Sequence, residues 1–246
     1  LNAVGGDAYT IALSVDIAGD IDATNNDDEI ETVSLTEIPT KYVVGEEKTG
    51  TWCGWCPRGA VGLANMESIP EFIGIAIHNG SNDPMVVTAY DDNIGTYIPG
   101  GYPRGGVDRV ENGNPAAANF LAMHNDRVTT IVPCEVTSLT AEHNAATDKI
   151  NVSVESEWYG NIPGNYRFSC VLVEDDVLGD ENGFLQVNYY DGGGNGTMAF
   201  PPGINNEFDF ATGGDPADPY QFEGYDHVAR YLSNNDILGN SGSLPR

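Results

Sequence analysis

Val43-Val44-Gly45-Glu46-Glu47-Lys48-Thr49-Gly50-Thr51-Trp52-Cys53-Gly54-Trp55-Cys56-Pro57 is the stretch on which the fold turns. Its first part reads as a strand, expected over Lys41–Glu46, that ends at two cysteines three positions apart. Pro57 then suits the first turn of a helix, because its missing N–H would have no partner there anyway. The helix is expected over Pro57–Met66, with Gly59 and Gly62 weakening it. Cysteines at this spacing in a first helical turn bring their sulfurs within bonding distance. The first thiol meets the free N–H groups and dipole of the helix start, which favour a thiolate. The second lies deeper, where it can resolve a mixed disulfide. Three readings compete. A zinc site needs two more ligands, but the four histidines are scattered and no second CxxC exists. An inert bridge is the second, although so small a loop adds little closure stability. A redox-active dithiol is the reading that the strand–CxxC–helix context favours.

Outward from the motif, Phe72–His78 is a near-continuous apolar run, as in a strand buried on both faces. Pro84–Asp91 reads as helical and Gly106–Val110 as a third strand. Pro115–Val128 is an Ala-rich helix with Ala117, Phe120, Leu121, His124 and Val128 at helical spacing. Residues 37–131 therefore form an α/β domain. Ahead of them, Tyr9, Ile11, Leu13, Val15 and Ile17 alternate along one strand, and Glu29–Leu35 alternates again. Residues 1–36 are thus a hairpin around an acidic turn, and two strands do not make a domain alone. In residues 132–246, Glu135–Leu139, Lys149–Glu157 and Tyr166–Glu174 read as strands. A Gly- and Asn-rich stretch over 179–214 follows, too long for an ordinary loop, and then a short helix over Tyr225–Leu232. An unpartnered hairpin at one end and an unclosed β-domain at the other set the expectation of a window from a longer protein.

The strand running into Trp52-Cys53-Gly54-Trp55-Cys56-Pro57 resembles the thioredoxin superfamily. The resemblance implies that Cys53 is the nucleophile and Cys56 the resolving thiol. Glu47 falls where the family keeps a buried acid that shuttles the second cysteine's proton. Tyr102-Pro103 resembles its cis-proline, with Trp52, Trp55 and Tyr102 lining the substrate groove. The lysine that often neighbours the acid has no clear match. More narrowly, Glu47–Cys53, His78–Met85, Gly101–Gly105 and Asp226–Arg230 together resemble a Gram-negative outer-membrane or secreted family. That family joins a thioredoxin-like domain to a C-terminal β-sandwich. Residues 1–36 resemble the closing strands of an immunoglobulin-like adhesion module. The implied function is a thiol-disulfide oxidoreductase or isomerase of the cell surface or exported space, acting on protein thiols or disulfides. The alternative is an adhesion or scaffold protein, working with other domains or chains of a surface assembly, whose CxxC is structural.

Ten Lys and Arg face 37 Asp and Glu in 246 residues, a formal charge of -27. Such a surface excludes nucleic-acid partners, which need basic patches. No run approaches the roughly 20 apolar residues that a membrane-spanning helix requires. No cofactor is required by these motifs. Calcium is the one ion to consider, because Asp20, Asp22, Thr24, Asn26 and Asp28 alternate oxygen ligands through the first acidic turn, though without the expected central Gly. A solvated turn is the other reading there, and the favoured one for Glu174-Asp175-Asp176 with Asp180-Glu181. His78 and Asp83 suit either a ligand site or, more simply, a loop fixed by hydrogen bonds. Cys134 and Cys170 sit in expected strands, where a second disulfide or two buried thiols would fit. The aromatic residues Tyr189, Tyr190, Phe200, Phe208, Phe210, Tyr220 and Phe222 suggest packing before a glycan platform.

Overall fold

The computed structural model describes residues 3–161, 164–179, 182–193, 195, 196, 220, 221 and 224–240. In chain order the main elements are β1 (Ala8–Ser14), β2 (Asp27–Val33), β3 (Val43–Thr49), α1 (Pro57–Met66), β4 (Phe72–His78), α2 (Thr88–Ile94), β5 (Arg104–Val107), β6 (Glu111–Gly113), α3 (Ala117–Val128), β7 (Cys134–Asn144), β8 (Lys149–Trp158), β9 (Val171–Glu174), β10 (Leu185–Gln186), β11 (Tyr220–Gln221) and β12 (Val228–Leu232). They fall into two units: residues 1–41 with 130–164, and residues 42–129 with 165–246.

This division differs from boundaries at 36 and 131. The chain leaves the first unit at Lys41, returns to it at Thr130 and leaves again after Gly164. In the first unit β1 pairs antiparallel with β2, Ala8 opposite Val33, giving the expected N-terminal hairpin. β7 and β8 form a second antiparallel ladder, from Cys134 opposite Trp158 to Asn144 opposite Lys149. The segment after β2 binds this ladder: the Thr36 N–H donates to the Tyr159 carbonyl at 2.8 Å, and the Thr40 N–H to Glu135 Oε2 at 3.0 Å.

The second unit is built on a six-stranded mixed sheet, ordered β6-β5-β3-β4-β12-β9. β3 and β4 are parallel, joined through α1; β5 runs antiparallel beside β3, and β6 antiparallel beside β5; β12 is parallel to β4 and antiparallel to β9. Among the described residues of 132–246, β9 and β12 extend this sheet while β7 and β8 pair with each other. Tyr225–Leu232, expected as a helix, supplies β12.

β3 is central, so both of its faces are covered, and period-2 alternation sends neighbouring side chains opposite ways. One face, with Val43, packs on Leu63 and Met66 of α1, Phe120 and Met123 of α3, and Ala76. The other meets Tyr90 and Ile94 of α2 with Ile75, Ile77, Ile98 and Leu232. Each such apolar side chain contributes about 1.5–3 kcal/mol on full burial. The glycines of α1 serve this packing. A Cβ at Gly59 would overlap the Glu47 carboxylate, and one at Gly62 the Pro115 carbonyl. Their cost in helix propensity is offset by close approach of α1 to the sheet and to the start of α3.

Candidate functional site

β3 delivers the chain at Thr49 to a tight turn that carries the cysteines. The Cys53 N–H donates to the Gly50 carbonyl and the Cys56 N–H to the Cys53 carbonyl, each at 3.0 Å. Cys56 is the N-cap of α1 and Pro57 its first helical residue, as expected for Pro57, but Cys53 lies in the turn ahead of the helix and not in its first turn. Cys53 and Cys56 are joined in a disulfide, with Cα atoms 5.3 Å apart. Both are buried, Cys53 at 4% and Cys56 at 1% exposure. An exposed Cys53 beside a buried Cys56, the arrangement a bare nucleophile would show, is not what this disulfide form presents.

Glu47 lies on the α1 face of β3, against Gly59. It is fully buried; Thr49 hydrogen-bonds its carboxyl, but Oε1 has no partner among the described residues. Burial pushes this carboxyl well above its usual range, and the Thr49 bond offsets only part of that. Glu47 and Cys56 line one small cavity of about 30 Å³, together with Thr49, His78, Gln186 and His227. That volume holds a water or two, and its walls are polar enough to bind one.

Lys48, one residue on, points to the opposite face. Its ammonium donates to the carbonyls of Ile98 at 3.2 Å and Gly100 at 2.8 Å, and stands 4.8 Å over the Tyr102 ring. It thereby ties down the loop leading to the Tyr102–Pro103 peptide, which is cis. Tyr102 packs edge-on to Trp52, with centroids 5.5 Å apart, and its hydroxyl donates to Asp91 Oδ1 at 3.0 Å. Burial, and then Asp91, raise the Tyr102 hydroxyl above its usual range. Trp52 Nε1 donates to the Asn79 carbonyl at 2.7 Å, yet half the ring faces solvent. Trp52, Trp55 and Tyr102 thus offer a partly exposed aromatic surface around the turn.

The segment Gln186-Val187-Asn188-Tyr189-Tyr190 covers the disulfide, and beyond the two tyrosines nothing in its sequence marks it for that. The Val187 N–H donates to the Thr51 carbonyl at 2.7 Å and the Tyr189 N–H to the Gly54 carbonyl at 2.9 Å. Gln186 Nε2 donates to the Cys53 carbonyl at 2.9 Å. The Tyr189 ring lies directly on Gly54, where a Cβ would meet it at 2.5 Å. Trp55 stands edge-on to Tyr189 and Tyr190, with centroids 5.4 and 5.6 Å away. Tyr189 and Tyr190 are therefore packing residues of the site. Tyr189→Ala removes an aromatic contact worth about 0.5–1.5 kcal/mol, so opening of the disulfide by glutathione should speed up by at most about tenfold. An unchanged second-order rate would show that Tyr189 does not limit access to Cys53.

The remaining candidates lie apart from the turn or serve it indirectly. His78 Nδ1 and Asp83 Oδ2 are 2.8 Å apart, and Asp83 also accepts from the N–H groups of Thr51 and Met85, each at 2.9 Å. Burial opposes the charge of Asp83, but these bonds outweigh it and hold the carboxyl below its usual range. The pair fixes the loop after β4 to the residue before Trp52. In the first acidic turn Asp20 Oδ1 accepts from the Asp22 N–H, Asp22 from Thr24, and Asp28 from the Glu29 N–H. These carboxylates hold their own turn. Among the described residues no group of three or more His, Cys, Asp or Glu is arranged to hold a metal ion. Cys134 and Cys170 are not bonded to each other: both are free, half-buried thiols, Cys134 in the first unit and Cys170 in the second. Burial raises the Cys134 thiol above its usual range. Asp180, Glu181, Phe200, Phe208, Phe210 and Phe222, and the side chain of Tyr220, lie outside the described residues.

Among solved structures the chain is similar to HBP35 of Porphyromonas gingivalis, at 17% identity and a TM-score of 0.49, over 82% of this chain and 59% of that one. It is also similar to protein AGR_C_4864 from Agrobacterium tumefaciens, at 12% identity and a TM-score of 0.39, over 80% of this chain and 73% of that one. The chain spans less than two thirds of the HBP35 chain. No protein-family model and no curated protein matches it. At these levels the two likenesses assign neither a family nor a function.

Proposed function

We propose that the second unit is a thioredoxin-like thiol–disulfide exchange centre in which Cys53 attacks, Cys56 resolves and Glu47 carries the proton of Cys56. One observation carries the reading: the bridge sits at the entry to α1, and its Cys56 shares a small cavity with a buried carboxyl raised well above its usual range. An inert bridge needs no such acid, and an unpartnered buried oxygen costs about 1–3 kcal/mol. In the disulfide form burial favours the protonated Glu47 carboxyl. When an incoming thiolate bonds to Cys53 Sγ, the Cys53–Cys56 bond breaks and Cys56 leaves as a thiolate, which takes that proton. Tyr102, Pro103, Trp52 and Trp55 form the groove that receives a protein thiol or disulfide. The compartment is the exported space or cell surface, where a bridge of this kind persists and the acidic surface tolerates salt. No helix among the described residues is long and apolar enough to cross a membrane.

A second reading, a scaffold with a fixed bridge, draws on the cover of Tyr189 over Gly54 and the 4% exposure of Cys53. A trapping experiment separates the two. Reduced Cys56→Ser protein, offered a disulfide-containing polypeptide, should accumulate a mixed disulfide through Cys53, while Cys53→Ser should not. Failure of Cys56→Ser to trap would favour the scaffold.

A further inference from the structure

Building on that exchange reaction, we propose that His227 is the proton outlet of the site, linking the cavity around Glu47 and Cys56 to the surface carboxylate of Glu67. A buried Glu47 that gives its proton to Cys56 becomes a carboxylate that burial disfavours, so a proton relayed to it as it forms would speed the opening of the bridge. Lys48 faces the other side of the sheet, so the strand offers the acid no cation. His227 lines the same cavity as Glu47 and Cys56. Its Nε2 lies 3.4 Å from Glu67 Oε1, and the two side chains are 15% and 36% exposed. The imidazole thus spans from the cavity wall to solvent. His78, also in the wall, is 3% exposed and bound to Asp83, so it has no route outward.

Several features hold the ring in this place. His227 has φ 61°, a left-handed conformation uncommon for a non-glycine residue. Its N–H donates to Asp175 Oδ1 at 2.7 Å, and its carbonyl accepts from the Ala76 N–H at 2.7 Å. Gly74 leaves room for the ring, because a Cβ there would come within 2.8 Å of His227 Cδ2. The charged groups around it are Glu67 at the end of α1, Asp175, Asp176 and Asp226 in the loops beside it, and Glu47 and His78 across the cavity. The steps balance: as the Glu47 proton passes to the Cys56 thiolate, the imidazole relays a solvent proton taken up beside Glu67 through the cavity to Glu47, and the same route releases it when the bridge re-forms.

The test uses the full oxidised chain mixed with dithiothreitol, with Trp52 and Trp55 fluorescence reporting the opening of the bridge across pH 6 to 9. His227→Asn keeps a residue that tolerates the left-handed backbone. It should slow the reaction about tenfold near neutral pH and flatten its pH profile, and free imidazole should restore most of the rate. Glu67→Gln should shift the profile in the same direction without changing the melting temperature. Wild-type rates and profiles in both variants would overturn the proposal, as would a slow His227→Asn that imidazole does not rescue. If Glu47→Gln slows the reaction and His227→Asn does not, the outlet alone is wrong. If neither slows it, the exchange reading falls as well.

Discussion

Arg109→Met should destabilise the chain by about 3–5 kcal/mol, because it strands a buried carboxylate. Glu46 is 1% exposed on the α2 face of β3. Its carboxylate accepts from Arg109 Nε at 2.9 and 3.1 Å, from Arg109 Nη2 at 2.8 Å and from the Tyr90 hydroxyl at 2.5 Å. Arg109 can reach it because Asp108 and Arg109 are both left-handed, at φ 50° and 57°, in a tight β5–β6 turn closed by the Val110 N–H on the Val107 carbonyl. Its Nη1 also donates to the Ile237 carbonyl at 2.5 Å, tying in the segment after β12. Removing the guanidinium leaves Tyr90 alone against a full charge. Urea unfolding measures the loss. Neutralising the partner as well, in Glu46→Gln with Arg109→Met, should recover much of it, since the penalty is the unpaired charge and not the missing contact. A loss below about 1 kcal/mol in the single variant would mean that water reaches Glu46.

Glu47→Gln should make the chain more stable and its bridge less reactive. The folded carboxyl is raised above its ordinary 4.5. From about that pH upward the folded chain holds a proton that the unfolded chain releases. The stability is therefore full at lower pH and falls by about 1.4 kcal/mol per pH unit as pH rises towards the folded value, then levels off. Glutamine has no such slope, so the gap in melting temperature between variant and wild type should widen as pH rises above 5. Parallel curves would show that Glu47 titrates normally. The same variant should open and close the bridge about 10²-fold more slowly, having lost a general acid and base.

The turn at Cys53, the helix at Pro57 and the parallel strand at Phe72 were legible because strong local signals agreed there. In the charged half of β3 only Glu47 was named, and that through a resemblance; Glu46 and Lys48 read as no more than a strand end. Each is satisfied or shifted only by tertiary neighbours: Arg109, the cavity, and the carbonyls of Ile98 and Gly100. β12 read as a helix because Val228, Ala229 and Leu232 have helical spacing. The register shift between Ala229 and Tyr231 is what breaks the alternation a strand would show. β5 ends at Val107, not Val110, because the left-handed pair at 108 and 109 turns the chain into β6. The division into units escaped reading for a related reason. Strands occur on both sides of residue 164, and only long-range pairing sends β9 and β12 to the sheet of β3. The cover at Gln186–Tyr190 has no periodicity at all; it is held by backbone carbonyls of the CxxC turn.

The reduction potential of the Cys53–Cys56 pair, measured by equilibration against glutathione and dithiothreitol buffers, tests the exchange reading most directly. A raised Glu47 and a bridge in the turn leading into α1 predict a value within the range of working oxidoreductases, about -120 to -270 mV. A value below about -300 mV, that of a bridge resistant to reduction, would contradict it.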